Sequence, residues 1–130
     1  MKRFITNYLK KHLTAHPKHY YFLRWLAEYV KDEKKTKDVL HSIAYYISEK
    51  NLNLPYLDIF VVEDTVYVHT SRPGLWIGKA GSNHQAVEHR MNYNLKEEKI
   101  ANFELFYIDD TFSSRCEIDR YIYTINKYCV

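Results

Sequence analysis

The residues best equipped for chemistry are gathered between Arg72 and Ser82. Gly78 and Gly81 flank Lys79-Ala80, and a main chain bracketed by residues without a Cβ can be approached closely by a ligand. Ser82 with Gln85 three residues on has the form of a capping box that opens a helix. The amides of Ala80, Gly81 and Ser82 would then lie at a helix start, where free N–H groups and the positive end of the dipole attract phosphate oxygens. Lys79 adds a mobile cation, and Arg72 and Gly74 stand just upstream. Leu75, Trp76 and Ile77, also upstream, are apolar and would border a groove able to receive bases. Phosphates on one side and bases on the other describe a single-stranded nucleic acid, because a duplex keeps its bases stacked inside.

Other patterns with chemical potential fall short of what their chemistry requires. Gly74 to Ala80 superficially resembles a phosphate-binding P-loop, but that motif needs four residues between its glycines and Ser or Thr directly after Lys. No Gly-x-Gly-x-x-Gly supports a dinucleotide site. His12, His16 and His19 are interrupted by Pro17 and lack the Cys or carboxylate partners that would complete a tetrahedral zinc set. Asp109-Asp110 and Glu97-Glu98 fall in apparent loops and read as solvation rather than general acids. His69, on a strand, reads as packing. The sequence therefore predicts no catalytic residue, no metal and no cofactor.

The elements that must hold the glycine bend follow from periodicity. Phe4, Ile5, Tyr8, Leu9, His12 and Leu13 recur at helical spacing opposite Lys10, Lys11 and Thr14, so an amphipathic helix is expected up to His16-Pro17. A second helix, from about Lys18 to Asp32, places Phe22, Trp25, Leu26, Tyr29 and Val30 on one stripe, read as a core face. Asp32 to Lys35 reads as a charged connector, and Thr36 as the cap of a third helix burying Val39, Leu40, Ile43, Ala44 and Ile47.

From Leu57 the period changes. Leu57 to Val62 and Thr65 to Thr70 are β-branched and aromatic runs separated by Glu63-Asp64, a hairpin signature. A brief helix after Pro73 ends near Gly78, and another runs from Ser82 to about Asn94 with Ala86, Val87 and Met91 inward. Lys96 to Lys99 is a solvated connector, Asn102 to Ile108 a strand, and Ser114 to Tyr128 a last helix through Ile118, Tyr121, Ile122 and Ile125.

Val66-Tyr67-Val68-His69-Thr70-Ser71-Arg72-Pro73-Gly74-Leu75-Trp76-Ile77-Gly78-Lys79-Ala80-Gly81 resembles the strand-helix-GxxG region of type II K-homology (KH) domains. The likeness is strongest to the KH domain of the small-ribosomal-subunit protein beside the channel where mRNA enters. The order of helix, two strands, two helices around the glycines and a strand extends it over residues 36–110. The resemblance implies an α+β fold with a three-stranded sheet packed against helices. It also implies a non-enzymatic GxxG loop clamping about four nucleotides of single-stranded RNA or DNA. Trp76 stands where the family usually has a smaller aliphatic residue. Ala80 stands where a second basic or polar residue is frequent, which lowers the loop's positive charge. Residues 1–35 are then a helical extension, and residues 111–130 a C-terminal segment packed on the core.

Composition agrees with one folded domain. The chain has 130 residues, 46% hydrophobic and 27% charged, with only three each of Gly and Pro, far from disordered compositions. The net charge of +3 is unevenly spread: residues 1–35 carry nine Lys or Arg against three acids, and the remainder ten against thirteen. Lys2, Arg3, Lys10, Lys11 and Lys18 precede the first acid, Glu28, and are candidates for secondary contacts with RNA phosphates. No apolar run approaches the roughly 20 residues of a membrane span. Cys116 and Cys129 form no Cys-x-x-Cys pair, as expected of reduced thiols in a cytoplasmic protein. The expected partner is a single-stranded messenger or ribosomal RNA, with ribosome or ribonucleoprotein association the alternative.

Overall fold

The structure is a computed structural model and describes residues 13–110. The helix expected over Phe4 to Leu13 and the last helix over Ser114 to Tyr128 lie outside the described residues, apart from Leu13. In chain order the elements are strand β1 (Thr14–Ala15), a 3-10 turn (Pro17–His19), helix α1 (Tyr20–Tyr29) and helix α2 (Glu33–Glu49). Strands β2 (Asp58–Val62) and β3 (Thr65–Thr70) follow. Helix α3 (Pro73–Ile77), a second 3-10 turn (Lys79–Gly81), helix α4 (Ser82–Asn92) and strand β4 (Glu104–Asp109) complete the order.

The sheet has the order β1-β4-β3-β2. Strands β2 and β3 are an antiparallel hairpin pairing Asp58 with His69 and Val62 with Thr65. Strand β4 runs parallel to β3, with Val66 opposite Leu105 and Val68 opposite Tyr107. The parallel pairing requires a crossover, and α3, the glycine bend and α4 are that crossover. Among the described residues the sheet therefore has four strands, not three. The fourth is the two-residue β1, parallel to β4, built from Thr14 and Ala15, which helical periodicity had assigned to the end of a helix.

Alternation along the strands divides the side chains between two faces. Val66 and Val68 of β3, with Leu105 and Tyr107 of β4, join Val39, Ile43 and Ile47 of α2 and Val87 and Met91 of α4 in the main core. On the opposite face Phe60 and Ile108 meet Ala27 of α1, flanked by Tyr20, Leu23, Val62 and Tyr67. Helix α1 thus lies on one side of the sheet, with α2, α3 and α4 on the other.

Local chemistry sets the element ends. The α2 cap is Asp32, whose carboxylate accepts from the Lys35 amide at 3.1 Å. A carboxylate there also favours the positive end of the helix dipole. Thr36 lies inside the helix, and the supposed connector supplies its first turn. Helix α4 ends at Asn92, two residues early, because the Asn92 side chain turns inward. Its amide donates to Phe103 O at 2.9 Å and its carbonyl accepts from Phe103 N at 2.7 Å, which fixes the approach to β4.

Candidate nucleic-acid interface

The glycine bend is built from the core outward. Pro73 occupies the first turn of α3, where its missing N–H has no helical partner to lose and its fixed φ suits the helix. Trp76 and Ile77 are both 0% exposed. The Trp76 indole donates to Pro55 O at 2.8 Å and packs edge-on against Tyr56. Thr70 donates its hydroxyl to the same carbonyl at 2.7 Å and accepts from the Arg72 amide at 3.0 Å. Together these contacts anchor both the end of β3 and α3 to the segment leading into β2.

Above this base the chain turns sharply. Gly78 has φ +73°, Ala80 φ 51° and Gly81 φ +81°. At Gly78 a Cβ would lie 3.0 Å from the Asn83 amide nitrogen, so a side chain is opposed by both backbone conformation and space. Asn83 secures the bend by donating to Leu75 O at 2.9 Å. Helix α4 then begins with Gly81 as its cap and no side-chain cap hydrogen bond. The capping box read from Ser82 and Gln85 does not form, because the left-handed Gly81 occupies the cap position and Ser82 is already helical. The amides expected to be free at this helix start are in part occupied, since Gly81 N–H donates to Gly78 O at 3.3 Å and Ser82 N–H to Lys79 O within the 3-10 turn.

The expected site residues separate into two groups. Lys79, Ala80 and Ser82 are exposed, as is Arg72, while Gly74 and Gly78 are half-buried and Gly81 is buried. Leu75 is partly exposed. Trp76 and Ile77 face the core, so their side chains support the bend from beneath rather than border bases. Lys18 is exposed on the 3-10 turn before α1, and Lys2, Arg3, Lys10 and Lys11 lie outside the described residues. His16 caps its own turn by accepting from the Lys18 amide at 3.1 Å.

Two polar chains brace the sheet end nearest the bend, and sequence reasoning missed both. On the α4 side, the Tyr107 hydroxyl lies 2.8 Å from His84 Nδ1, and His84 Nε2 lies 2.9 Å from Glu88 Oε1. The same Glu88 oxygen accepts from the Leu105 amide at 3.0 Å. Burial raises the Tyr107 phenol above its ordinary range, with the Glu88 charge adding to it. Tyr107 therefore keeps its proton and donates it to Nδ1, which leaves Nε2 as the donor to Glu88.

On the α1 side, Asp58 accepts from the Tyr20 hydroxyl at 2.7 Å and pairs with Arg24 at 3.1 Å. Tyr20 stacks on His69 at 4.3 Å, and His69 Nε2 lies 2.8 Å from Asp110. Burial, followed by Asp58, raises the Tyr20 phenol. The only signal in the sequence was the placement of His69 and Asp110 near two strand ends, and strand register is needed to see them meet.

Two surface grooves lie away from the bend. One, of about 520 Å³, runs between α1 and α2 over Ile59, Phe60 and Val61 of β2. The other, of about 400 Å³, lies between α2 and the end of α4 beside Phe103. Among the described residues no group of His, Cys, Asp or Glu could hold a metal ion, and no helix is long and apolar enough to cross a membrane. Compared with family models, curated proteins and solved structures, the chain matches none.

Proposed function

We propose that this chain is a type II KH module that binds single-stranded RNA, messenger or ribosomal, without catalysing a reaction. The observation that carries the reading is the bend Gly78-Lys79-Ala80-Gly81, with Lys79 and Ala80 exposed at its tip. It sits between two helices on the crossover of a parallel β3–β4 pair, with the β2–β3 hairpin on the other side. That element order and strand pairing agree with the arrangement the sequence resemblance implies. The exposed main chain at Lys79 and Ala80 and the Lys79 ammonium would hold phosphates. Arg72, Ser82 and the exposed edge of Leu75 border the path of the strand. Trp76 and Ile77 contribute by holding the bend rigid.

The test replaces Lys79 and Ala80 together by Asp. Asp tolerates the left-handed conformation at position 80 better than most residues, so the loop should stay folded while two negative charges face the phosphates. Fluorescence anisotropy with a labelled single-stranded RNA should show affinity reduced by about tenfold or more, as expected when phosphate contacts are reversed in sign. Unchanged affinity would refute the clamp. The dependence of affinity on salt should be shallow, because few phosphates are neutralised at one loop. A steep slope would instead implicate Lys18 and the basic residues before it.

A second reading, association with the ribosome or another ribonucleoprotein through protein contacts, draws on one observation: the two grooves both lie away from the bend. It predicts a stable protein complex that survives the double Asp substitution and nuclease treatment.

A further inference from the structure

Strand β2 ends the sheet on the side away from β1, so among the described residues one edge of its main chain has no strand beside it. Its register with β3 fixes which groups lie along that edge. The two-residue loop Glu63-Asp64 makes Val62 and Thr65 a pair that exchanges both main-chain bonds, and such pairs alternate along an antiparallel ladder. Phe60 with Tyr67 and Asp58 with His69 therefore bond across to β3, while Ile59 and Val61 turn their N–H and C=O groups the other way. Among the described residues these groups meet no turn, loop or cap partner either. Ile59 and Val61 are only 3% and 6% exposed, so their free donors and acceptors lie on the floor of a groove rather than on an open rim. Buried main-chain groups of this kind call for a partner.

The groove is the one of about 520 Å³ between α1 and α2, floored by Ile59, Phe60 and Val61. The two helices pack on β2 from opposite faces and form its walls. Pairing brings strands to about 4.8 Å, whereas packed helices keep their axes about 8–10 Å apart. The β2 edge of a second copy would therefore drive its own α1 and α2 into these walls. A bare extended segment carries no helices and enters, as in strand addition to a sheet edge.

Side chains directly opposite on neighbouring strands share a face. Ile59 and Val61 belong to the core on the α2 side, and Phe60 to the one on the α1 side. Residues opposite Ile59 and Val61 would thus meet Thr36 and Leu40 on the α2 wall, a fit for β-branched side chains. A residue opposite Phe60 would face the α1 wall, where Glu28 is already matched by Arg24 at 2.8 Å and Lys31 at 4.0 Å. Across the whole lining Arg24, Lys31 and Lys37 outnumber Glu28 and Glu33, which favours an acidic side chain there.

We propose that the α1–α2 groove takes an extended segment of a partner protein as an added strand on β2. The segment is β-branched opposite Ile59 and Val61 and acidic between them. Its main chain exchanges hydrogen bonds with Ile59 and Val61, and its carboxylate lies beside Arg24 and Lys31. Binding there does not depend on RNA at the glycine bend.

The probe is the peptide acetyl-Thr-Val-Glu-Val-Thr-amide, titrated to millimolar concentration into the full chain labelled with nitrogen-15. The Ile59 and Val61 amide signals should shift and their hydrogen exchange should slow several-fold, while the Lys79 and Ala80 signals stay in place. Methylating the main-chain nitrogens of both peptide valines removes the two donors and keeps the side chains, and should weaken binding about tenfold or more. Replacing the peptide glutamate by lysine should weaken it several-fold. No response at Ile59 and Val61, or equal binding of the methylated peptide, would overturn the proposal. Slow exchange of the two amides before peptide is added would also overturn it, in favour of a second copy if the protection fades on dilution and of this chain's own residues if it does not. The chain with Lys79→Asp and Ala80→Asp should bind the peptide as the parent does. A parallel loss of peptide and RNA binding would move the peptide to the bend and refute the groove.

Discussion

Two tryptophans, each carried on a helix, meet opposite fates. Trp76 lies in a five-residue helix next to the glycine bend and is 0% exposed, whereas Trp25 lies in the middle of an amphipathic helix and is 59% exposed. Amphipathicity announced a buried face for α1, and the face that does bury, through Tyr20, Leu23 and Ala27, is adjacent to the aromatic stripe rather than identical with it. Proximity to the bend suggested an exposed role for Trp76, yet its indole serves the Pro55 carbonyl. A helical stripe establishes that an element has an apolar side, and only the tertiary neighbours decide what that side meets.

The largest effect that separates the two regions should come from truncating each indole. Trp76→Ala removes a fully buried ring and leaves Pro55 O without its donor, and should cost about 3–5 kcal/mol in urea denaturation. Trp25→Ala should cost on the order of 1 kcal/mol, since most of its surface lies outside the main core. Equal losses would mean that the two faces of the sheet are equally committed to stability.

Next in size is Asn92→Ala. The side chain satisfies both the N–H and the C=O of Phe103 in a buried position, and its loss leaves two unpaired backbone groups at a cost of about 1–3 kcal/mol. Because Asn92 joins α4 to β4 on the crossover side, the same variant should leave the α1 face unaffected. Far-ultraviolet circular dichroism with denaturant would measure the loss, and Trp25 quenching would report the α1 side separately.

Much of the crossover was legible in the sequence for identifiable reasons. The β2–β3 hairpin followed from two β-branched runs around Glu63-Asp64, and Pro73 with Gly78 bounded α3 to within a residue, Pro73 itself being helical. Other features depend on contacts that no local pattern encodes. Strand β1 exists because β4 offers a free edge to two residues, Thr14 and Ala15, which carry no strand signature of their own. Asp32 outcompetes Thr36 as a cap because Glu33 to Lys35 can complete a first turn, and a cap residue is defined by where the helix starts. The Tyr107–His84–Glu88 and Tyr20–His69–Asp110 chains each join residues more than twenty positions apart, so they become visible only once strand register is known. At the bend, the glycine spacing predicted an exposed main chain, while the depth of Trp76 and Ile77 depended on how α3 leans on Tyr56 and Tyr107.

The bend can be probed by reversing its two kinds of strain. Gly78→Ala places a Cβ 3.0 Å from the Asn83 amide at φ +73°, and should cost roughly 1–2 kcal/mol. Ala80→Gly relieves the left-handed conformation at φ 51° but adds freedom to the unfolded chain, so the net change should stay within about 0.5 kcal/mol of zero. Thermal denaturation of the two variants side by side measures the contrast. A Gly78→Ala protein as stable as the parent would show that the bend relaxes easily, which would weaken its claim to be a rigid grip.

The smallest effect concerns pH and the chain that latches α4 to β4. Burial would raise the Glu88 carboxyl, but the hydrogen bonds from His84 and the Leu105 amide, together with attraction to His84, outweigh it and hold the group below its ordinary value of 4.5. A carboxyl with a lowered value in the folded state stabilises the fold fully above its unfolded value and loses that contribution as pH falls through its folded value. Glu88→Gln should therefore be less stable than the parent at neutral pH, with the gap narrowing as pH falls below 4.5. If the Glu88→Gln gap stayed constant with pH, the carboxylate would be acting as a packing group, and the latch would rest on the Tyr107–His84 hydrogen bond alone.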